Sequence, residues 1–353
     1  MDTDALFYDG VDLLKQLIAI PSFSREEKVA ADCLECYLKD RGLNPARQGN
    51  NIWITSPDWN DKKLTVLLNS HIDTVKPSND WIRNPFLPEE SDGKLFGLGS
   101  NDAGASLVSL LHSFLLLTAR PQPVNFIFLA SAEEEISGKD GIESVLPALG
   151  KIDFAIVGEP TAMQSAVAEK GLMVLDAVIR GQSGHAARNE GDNAIYRALP
   201  VIEWFRTKRF QKTGPLSGEV KMTVTVIEAG KQHNVVPSEC RFTVDVRTNE
   251  CYTNESLFAE IAAKCRCEIK ARSFRLNSSS IPSIHPVVKR AIILGSKPFA
   301  SPTLSDMALM PFPSLKIGPG DSARSHTADE FVFFSEIREA MTIYFKLLDN
   351  FCY

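Results

Sequence analysis

At 353 residues, with 44% hydrophobic and 23% charged side chains, the chain has the make-up of a globular protein large enough for two domains, or for one domain with an insertion. A net charge of −6 without a long basic run argues against nucleic acid as a partner. No stretch reaches the roughly 18 apolar residues of a membrane span. Residues 1–12 are acidic and lack a basic n-region, so neither a membrane partner nor a signal peptide is expected.

In chain order, residues 11–20 read as a short amphipathic helix closed by Pro21. Ser24 to Glu27 has the spacing of a capping box, opening a helix that runs to about Asp40 and stops at Gly42. Residues 52–55 and 64–69 are strand candidates, 81–92 a loop, and 94–97 a short extended piece. Gly99-Ser100-Asn101-Asp102 turns into a helix over 103–117. Apolar runs at 124–130, 154–157 and 314–317 read as buried strands, and helices are expected at 286–294 and from about 336. Alternating strands and helices predict an α/β domain with a mostly parallel sheet and helices on both faces. Between 171 and 276 the order changes to strand, helix, strand, strand, helix, strand, which predicts an inserted ferredoxin-like α+β domain. The expected domains are therefore 1–170 with 277–353, and 171–276 between them.

Seven cysteines, odd in number and scattered, argue against a disulfide framework and fit a reducing cytoplasm. Cys33 and Cys36 have CxxC spacing inside a helical pattern and read as buried core thiols.

The chemistry gathers where strands end. The run 64–70 stops at His71 with Asp73 beyond it, 124–130 runs into Glu133-Glu134-Glu135, and 154–157 into Glu159. The run 314–317 leads through a glycine loop to His326, and Asp102 opens a helix. Ligands of open α/β sheets bind at the carboxyl ends of the strands. Imidazoles and carboxylates are ligands for hard, water-activating metals. His71, Asp102, Glu134, Glu159 and His326 exceed what one tetrahedral ion with an open position needs, and suit two ions sharing a carboxylate. Asp73 is placed to orient His71, and Glu133 to take a proton.

The motifs Ser70-His71-Ile72-Asp73, Gly99 to Asp102, Ser131 to Glu135, Gly158-Glu159-Pro160-Thr161, Gly184-His185-Ala186-Ala187, Asn234 to Pro237 and Gly318-Pro319-Gly320 through His326 occur in the order of the M20 metallopeptidases and deacylases, which the chain resembles over nearly its whole length. The acetylornithine deacetylase branch is the nearest in pattern. The resemblance implies a zinc-peptidase-like catalytic domain and a lid that dimerises. It implies two divalent ions, zinc with cobalt able to substitute, bridged by Asp102. His71 and Glu159 would complete one site, and Glu134 and His326 the other. Glu133 would be the general base, Asp73 would orient His71, and His185 would reach the partner's active site. Asn234 and Arg247 would bind substrate, and Arg188 and Arg324, near His185 and His326, are further candidates for a substrate carboxylate. The triple glutamate also permits a one-residue shift, with Glu134 as base and Glu135 as ligand; Ala132 before the pair favours the first register. Ala103-Gly104 departs from the Met-Lys-Gly of many relatives.

The implied enzyme is a cytoplasmic homodimer that hydrolyses an N-acyl amino acid, N-acetylornithine or N-acetylcitrulline in arginine biosynthesis. Alternatives are a succinyl-diaminopimelate desuccinylase, a dipeptidase or carboxypeptidase, and, from another class, a non-catalytic binding protein of the same fold.

Overall fold

The computed structural model describes residues 3–188 and 190–352. It divides into two compact units: the first comprises residues up to Val167, Ser280–Phe299 and those from Ser305 on, and the second Ala168–Ser279 with Ala300–Leu304.

The first unit is built on a sheet whose strands lie in the order Ala46–Gln48, Asn51–Thr55, Asn125–Ser131, Thr65–His71, Phe154–Val157, Ser314–Lys316 and Ala166–Glu169. The four strands from Asn125–Ser131 to Ser314–Lys316 run parallel, and antiparallel pairs finish both sides. Every residue of Thr65–His71, Asn125–Ser131 and Phe154–Val157 is buried, as a strand covered on both faces requires. The period of two sorts them. Val66, Leu68, Phe126, Phe128, Phe154 and Ile156 join a core with the helices Thr3–Ile18, Lys28–Asp40, Ala105–Thr118 and Phe334–Leu348. Leu67, Ile127, Leu129, Ala155 and Val157 face the helix Ile142–Leu149 on the other side. Helices on both faces therefore follow from uninterrupted apolar strands. Truncating a side chain such as Phe128 here costs about 3–5 kcal/mol.

Register positions the functional edge. His71 pairs with Ser131, Asn69 with Val157, and Val157 with Lys316. Residues just past these pairs, Asp73, Glu133 to Glu135, Glu159 and the loop from Gly318, thus leave the sheet side by side.

The second unit has its own antiparallel sheet, ordered Lys221–Ala229, Glu239–Thr248, Gly171–Arg180, Glu268–Ala271, with helices Ala194–Thr207 and Asn254–Lys264. This is the expected ferredoxin-like arrangement. Gly171–Arg180 alternates buried and half-buried residues, so one face carries Met173, Leu175, Ala177 and Ile179 into a core with Phe205, Leu257 and Ile261.

Three local readings change. The first helix is Thr3–Ile18, earlier than 11–20. Ser24 to Glu27 is not a capping box: the helix starts at Lys28, no side chain caps it, and the Ser24 hydroxyl donates to Asp73 instead. Cys33 is half-buried and Cys36 exposed, because Ala30, Ala31, Leu34, Tyr37 and Leu38 take the inward face of their helix. Among the described residues no helix is long and apolar enough to cross a membrane.

Candidate metal centre

His71 is fixed from behind. Its Nδ1 lies 2.8 Å from the backbone oxygen of Asp73, so Nδ1 carries a proton and Nε2 is the ring atom left to face the cluster. That Nε2 points at Asp102 Oδ1, 3.2 Å away, and Glu159 Oε1, 3.7 Å away. The Asp73 carboxylate is farther from the ring, 3.6 Å from Nδ1. It accepts the Ser24 hydroxyl at 2.6 Å and the backbone N–H groups of Glu134 and Glu135 at 3.0 and 3.2 Å. Asp73 therefore contacts the imidazole chiefly through its carbonyl, and its carboxylate ties down the glutamate loop.

Asp102 sits in a turn entered through Gly99, whose φ of 75° belongs to the left-handed region. Buried Glu330 holds this turn by accepting the backbone N–H groups of Gly99, Asn101 and Asp102 at 3.1, 2.8 and 2.9 Å. Asp102 Oδ1 then faces His71, and Oδ2 lies 3.7 Å from His326 Nε2. One carboxylate addresses two imidazoles, which is the geometry of a bridging ligand.

The glutamate run is sorted by its backbone. Glu133 has a φ of 53° and its N–H donates to Glu27 Oε1 at 3.0 Å. Its side chain folds over Gly138, where a Cβ would collide with the carboxylate, and comes within 3.9 Å of Arg25 Nε. Glu135 Oε2 lies 2.9 Å from His326 Nε2. Among the described residues, two sets of potential ligand atoms gather within 4.8 Å of one another: His71, Glu134 and Glu159, and His71, Asp102 and Glu135. Both Glu134 and Glu135 thus stand within ligand reach, Glu134 beside His71 and Glu159, and Glu135 beside Asp102 and His326.

The electrostatics are those of a cation site. Burial and then Asp102 push Glu159 up to about 8, burial and then Glu159 raise Glu134 well above its ordinary range, and burial also raises Glu135. Burial opposes a charge on His71, but hydrogen bonding to Asp102 and Asp73 raises it well above the usual imidazole value. The hydrogen bond to Glu135 lifts His326 to about 9. Four crowded carboxylates and two imidazoles form an oxygen and nitrogen donor set that divalent cations relieve. The residues present fit two such ions.

Four residues take supporting roles that the sequence did not assign to them: Ser24, Glu27, Glu330 and Asp306. Buried Asp306 accepts from Asn69 at 2.9 Å and Ser131 at 2.6 Å, joining two strand ends behind His71, and burial pushes it up to about 6. A glutamate four residues past His326 was the one available signal for Glu330.

Arg324 does not present a free fork to a substrate. It makes paired hydrogen bonds of 2.8 and 2.7 Å to Glu336 and lies over Phe331. The other expected residues belong to the second unit. Exposed His185 sits on the two-residue strand Gly184–His185, paired with Val235–Val236, and the Ala186 N–H donates to the Asn234 oxygen. Arg188 is exposed beside them. Arg247 forks onto Asp245 at 2.9 and 3.1 Å.

Comparison with known proteins places these observations. The model of "Peptidase family M20/M25/M40" matches residues 67–350. An acetylornithine deacetylase of Buchnera aphidicola is 26% identical over 97% of this chain and 98% of that protein. A succinyl-diaminopimelate desuccinylase of Verminephrobacter eiseniae is 30% identical over 64% and 65% of the two chains. Among solved structures, the aminopeptidase PepT of Bacillus cereus superposes with a TM-score of 0.78 at 18% identity, covering 99% of both chains. The YXEP protein of Bacillus subtilis, described as a dinuclear metal-binding peptidase, gives 0.72 at 17% identity over 98% of both.

Proposed function

The chain belongs to peptidase family M20/M25/M40, and from that premise we propose that it removes an acetyl group from the α-nitrogen of a polar amino acid, N-acetylornithine or N-acetylcitrulline. The family consists of dinuclear metal-dependent enzymes, and the chain is a metal-dependent hydrolase acting on amides. The observation that carries the hydrolytic reading is the Asp102 carboxylate, with one oxygen toward each imidazole. The acetylated substrate is supported by the end-to-end match to a relative named for that activity.

In this reading His71, Asp102 and Glu159 would hold one cation, and Asp102, Glu135 and His326 would hold the other. Two zinc ions bound there would supply Lewis-acid activation of water and of the amide carbonyl. Glu134, beside both groups, takes the proton of the attacking water and returns it to the amine nitrogen as the C–N bond breaks. Glu133, whose N–H donates to Glu27 and whose carboxylate lies over Gly138 near Arg25, supports the loop. The Asp73 carbonyl keeps the His71 proton on Nδ1, and the Asp73 carboxylate aims Glu134 and Glu135. Arg247 recognises the substrate carboxylate in competition with Asp245. The second unit pairs with that of another copy, whose His185 donates to the oxyanion, with Asn234 and Arg188 close to it on the same ribbon. A place in arginine biosynthesis in the cytoplasm fits this substrate.

Succinyl-diaminopimelate is the second reading, because relatives named for its desuccinylation also match, one from Wolbachia pipientis at 25% identity over 98% of this chain. A panel of N-acetylornithine, N-acetylcitrulline, N-succinyl-diaminopimelate and dipeptides separates them by kcat/KM. The highest value on an acetylated amino acid is expected. A preference for the succinylated substrate overturns the first reading in favour of the second.

A further inference from the structure

In the second unit, Cys265 ends the helix Asn254–Lys264 and Cys267 precedes the edge strand Glu268–Ala271, with Arg266 between them. Their sulfurs lie 2.8 Å apart. Closing the pair to the roughly 2.05 Å of a disulfide brings the sulfurs together by about 0.75 Å. The other thiols are placed differently. Cys240 is buried, while Cys251 and Cys352 face the backbone oxygens of Thr213 and Asn350 at 3.8 and 3.7 Å. Cys33 and Cys36 stand one turn apart on a helix. Cys265 and Cys267 are both half-buried, and Cys267 lines an open cleft of about 440 Å³ that also presents Arg180, Arg197 and Arg266. A small oxidant can enter that cleft and reach the pair.

We propose that Cys265 and Cys267 are a reversible modification site, a dithiol that hydrogen peroxide converts to a short-ring disulfide. The thiol hydrogen bond from Cys267 lowers the pKa of Cys265 and raises that of Cys267, so Cys265 is the thiolate that attacks. Its sulfur bonds to one peroxide oxygen as the O–O bond breaks, and the hydroxide that leaves takes up a proton to become water. The Cys267 sulfur then attacks the Cys265 sulfenic acid. The S–S bond forms, the S–O bond breaks, and the departing oxygen leaves as water with the Cys267 proton. Two thiols and one peroxide give one disulfide and two waters. A ring this small is readily reopened by small thiols, which makes the change reversible. The disulfide fastens the end of the helix to the edge strand of the second unit.

The test uses the full chain, treated with one equivalent of hydrogen peroxide, alkylated and digested with trypsin. Cleavage after Arg266 separates the two cysteines, so a disulfide leaves the Cys265 and Cys267 peptides linked, two hydrogen atoms lighter than the separate pair. Dithiothreitol should separate them. Cys267→Ser should instead accumulate a dimedone-reactive sulfenic acid at Cys265, and Cys265→Ser should leave Cys267 largely unlabelled. Both variants should keep wild-type hydrolysis, which shows that they fold. Unlinked peptides while another cysteine oxidises, or labelling of Cys267 in preference to Cys265, would overturn the proposal.

Discussion

His326 Nε2 lies 2.9 Å from Glu135 Oε2, although 191 positions separate the two residues. The contact bears on which glutamate of the run does what. We predict that Glu135→Ala lowers the bound metal, measured on purified protein after dialysis. Glu134→Gln should retain the metal while kcat falls by roughly 10²–10⁴, the range for a positioned acid or base. Glu133→Gln should change kcat far less than Glu134→Gln. A Glu133→Gln enzyme that keeps its metal and loses turnover would restore the other register. Chelation of the wild type should abolish hydrolysis, and zinc or cobalt should return it.

Glu27 is a buried carboxylate that accepts the Glu133 N–H at 3.0 Å and the Asn50 amide at 3.3 Å. Removing it leaves a buried N–H without a partner. Glu27→Ala should therefore cost about 1–3 kcal/mol in urea unfolding. Because Glu133 adjoins the proposed base, kcat should fall more than KM rises. Glu27→Gln keeps an acceptor and should recover most of both. A Gln variant as impaired as the Ala variant would assign the effect to the lost charge rather than to the hydrogen bond.

The strand ends were legible because apolar runs such as 64–70 and 124–130 stop at polar residues, and a parallel sheet collects such stops at one edge. Which glutamate of the run faces which partner was not. Three adjacent identical side chains differ only in where the backbone aims them, and the φ of 53° at Glu133 and its tie to Glu27 come from distant segments. The reading of Ser24 to Glu27 as a cap failed for the same reason. Both side chains fit local helix grammar, but Asp73 and Glu133 offer them better partners. Arg324 was singled out for its nearness to His326, whereas Glu336 lies 12 positions away with no pattern linking the two. The inserted unit was legible because the buried and half-buried alternation of Gly171–Arg180 is written in its own residues.

Asp9 offers a pH test away from the metal centre. Hydrogen bonds from His112, Tyr37 and Arg41 hold its carboxyl well below the ordinary value of 3.8. It joins three helices, accepting Tyr37 Oη at 2.6 Å and facing His112 Nε2 at 3.2 Å. A carboxyl with a depressed folded-state pKa stabilises the fold fully above its unfolded pKa, and that contribution fades as pH falls toward the folded value. Asp9→Asn should then cost about 1 kcal/mol at neutral pH, a figure reduced for the partial exposure of Asp9. The gap from wild type, read by urea unfolding, should narrow below about pH 4. A gap that stays constant down to the acid limit would mean that the ionised carboxylate contributes nothing beyond its shape.

His185 allows a test that depends on two chains. The Ala187 N–H donates to His185 Nδ1 at 3.2 Å, which places the ring proton on Nε2 and makes that atom a donor. The ring is exposed, on a ribbon of the second unit. A neutral imidazole donor of this kind is suited to a developing oxyanion. If a neighbouring copy supplies it, His185→Ala and Glu134→Gln damage different halves of one composite site. Each variant alone, as a homodimer, should retain little activity. In a mixed dimer one of the two sites joins an intact Glu134 to an intact His185, and the other holds both defects. Co-expressed chains carrying different affinity tags and purified through both should therefore recover up to about half of wild-type kcat per dimer. Mass measurement of the intact assembly establishes that mixed dimers are present. Mixed dimers as inactive as their parents would show that His185 serves its own chain or none.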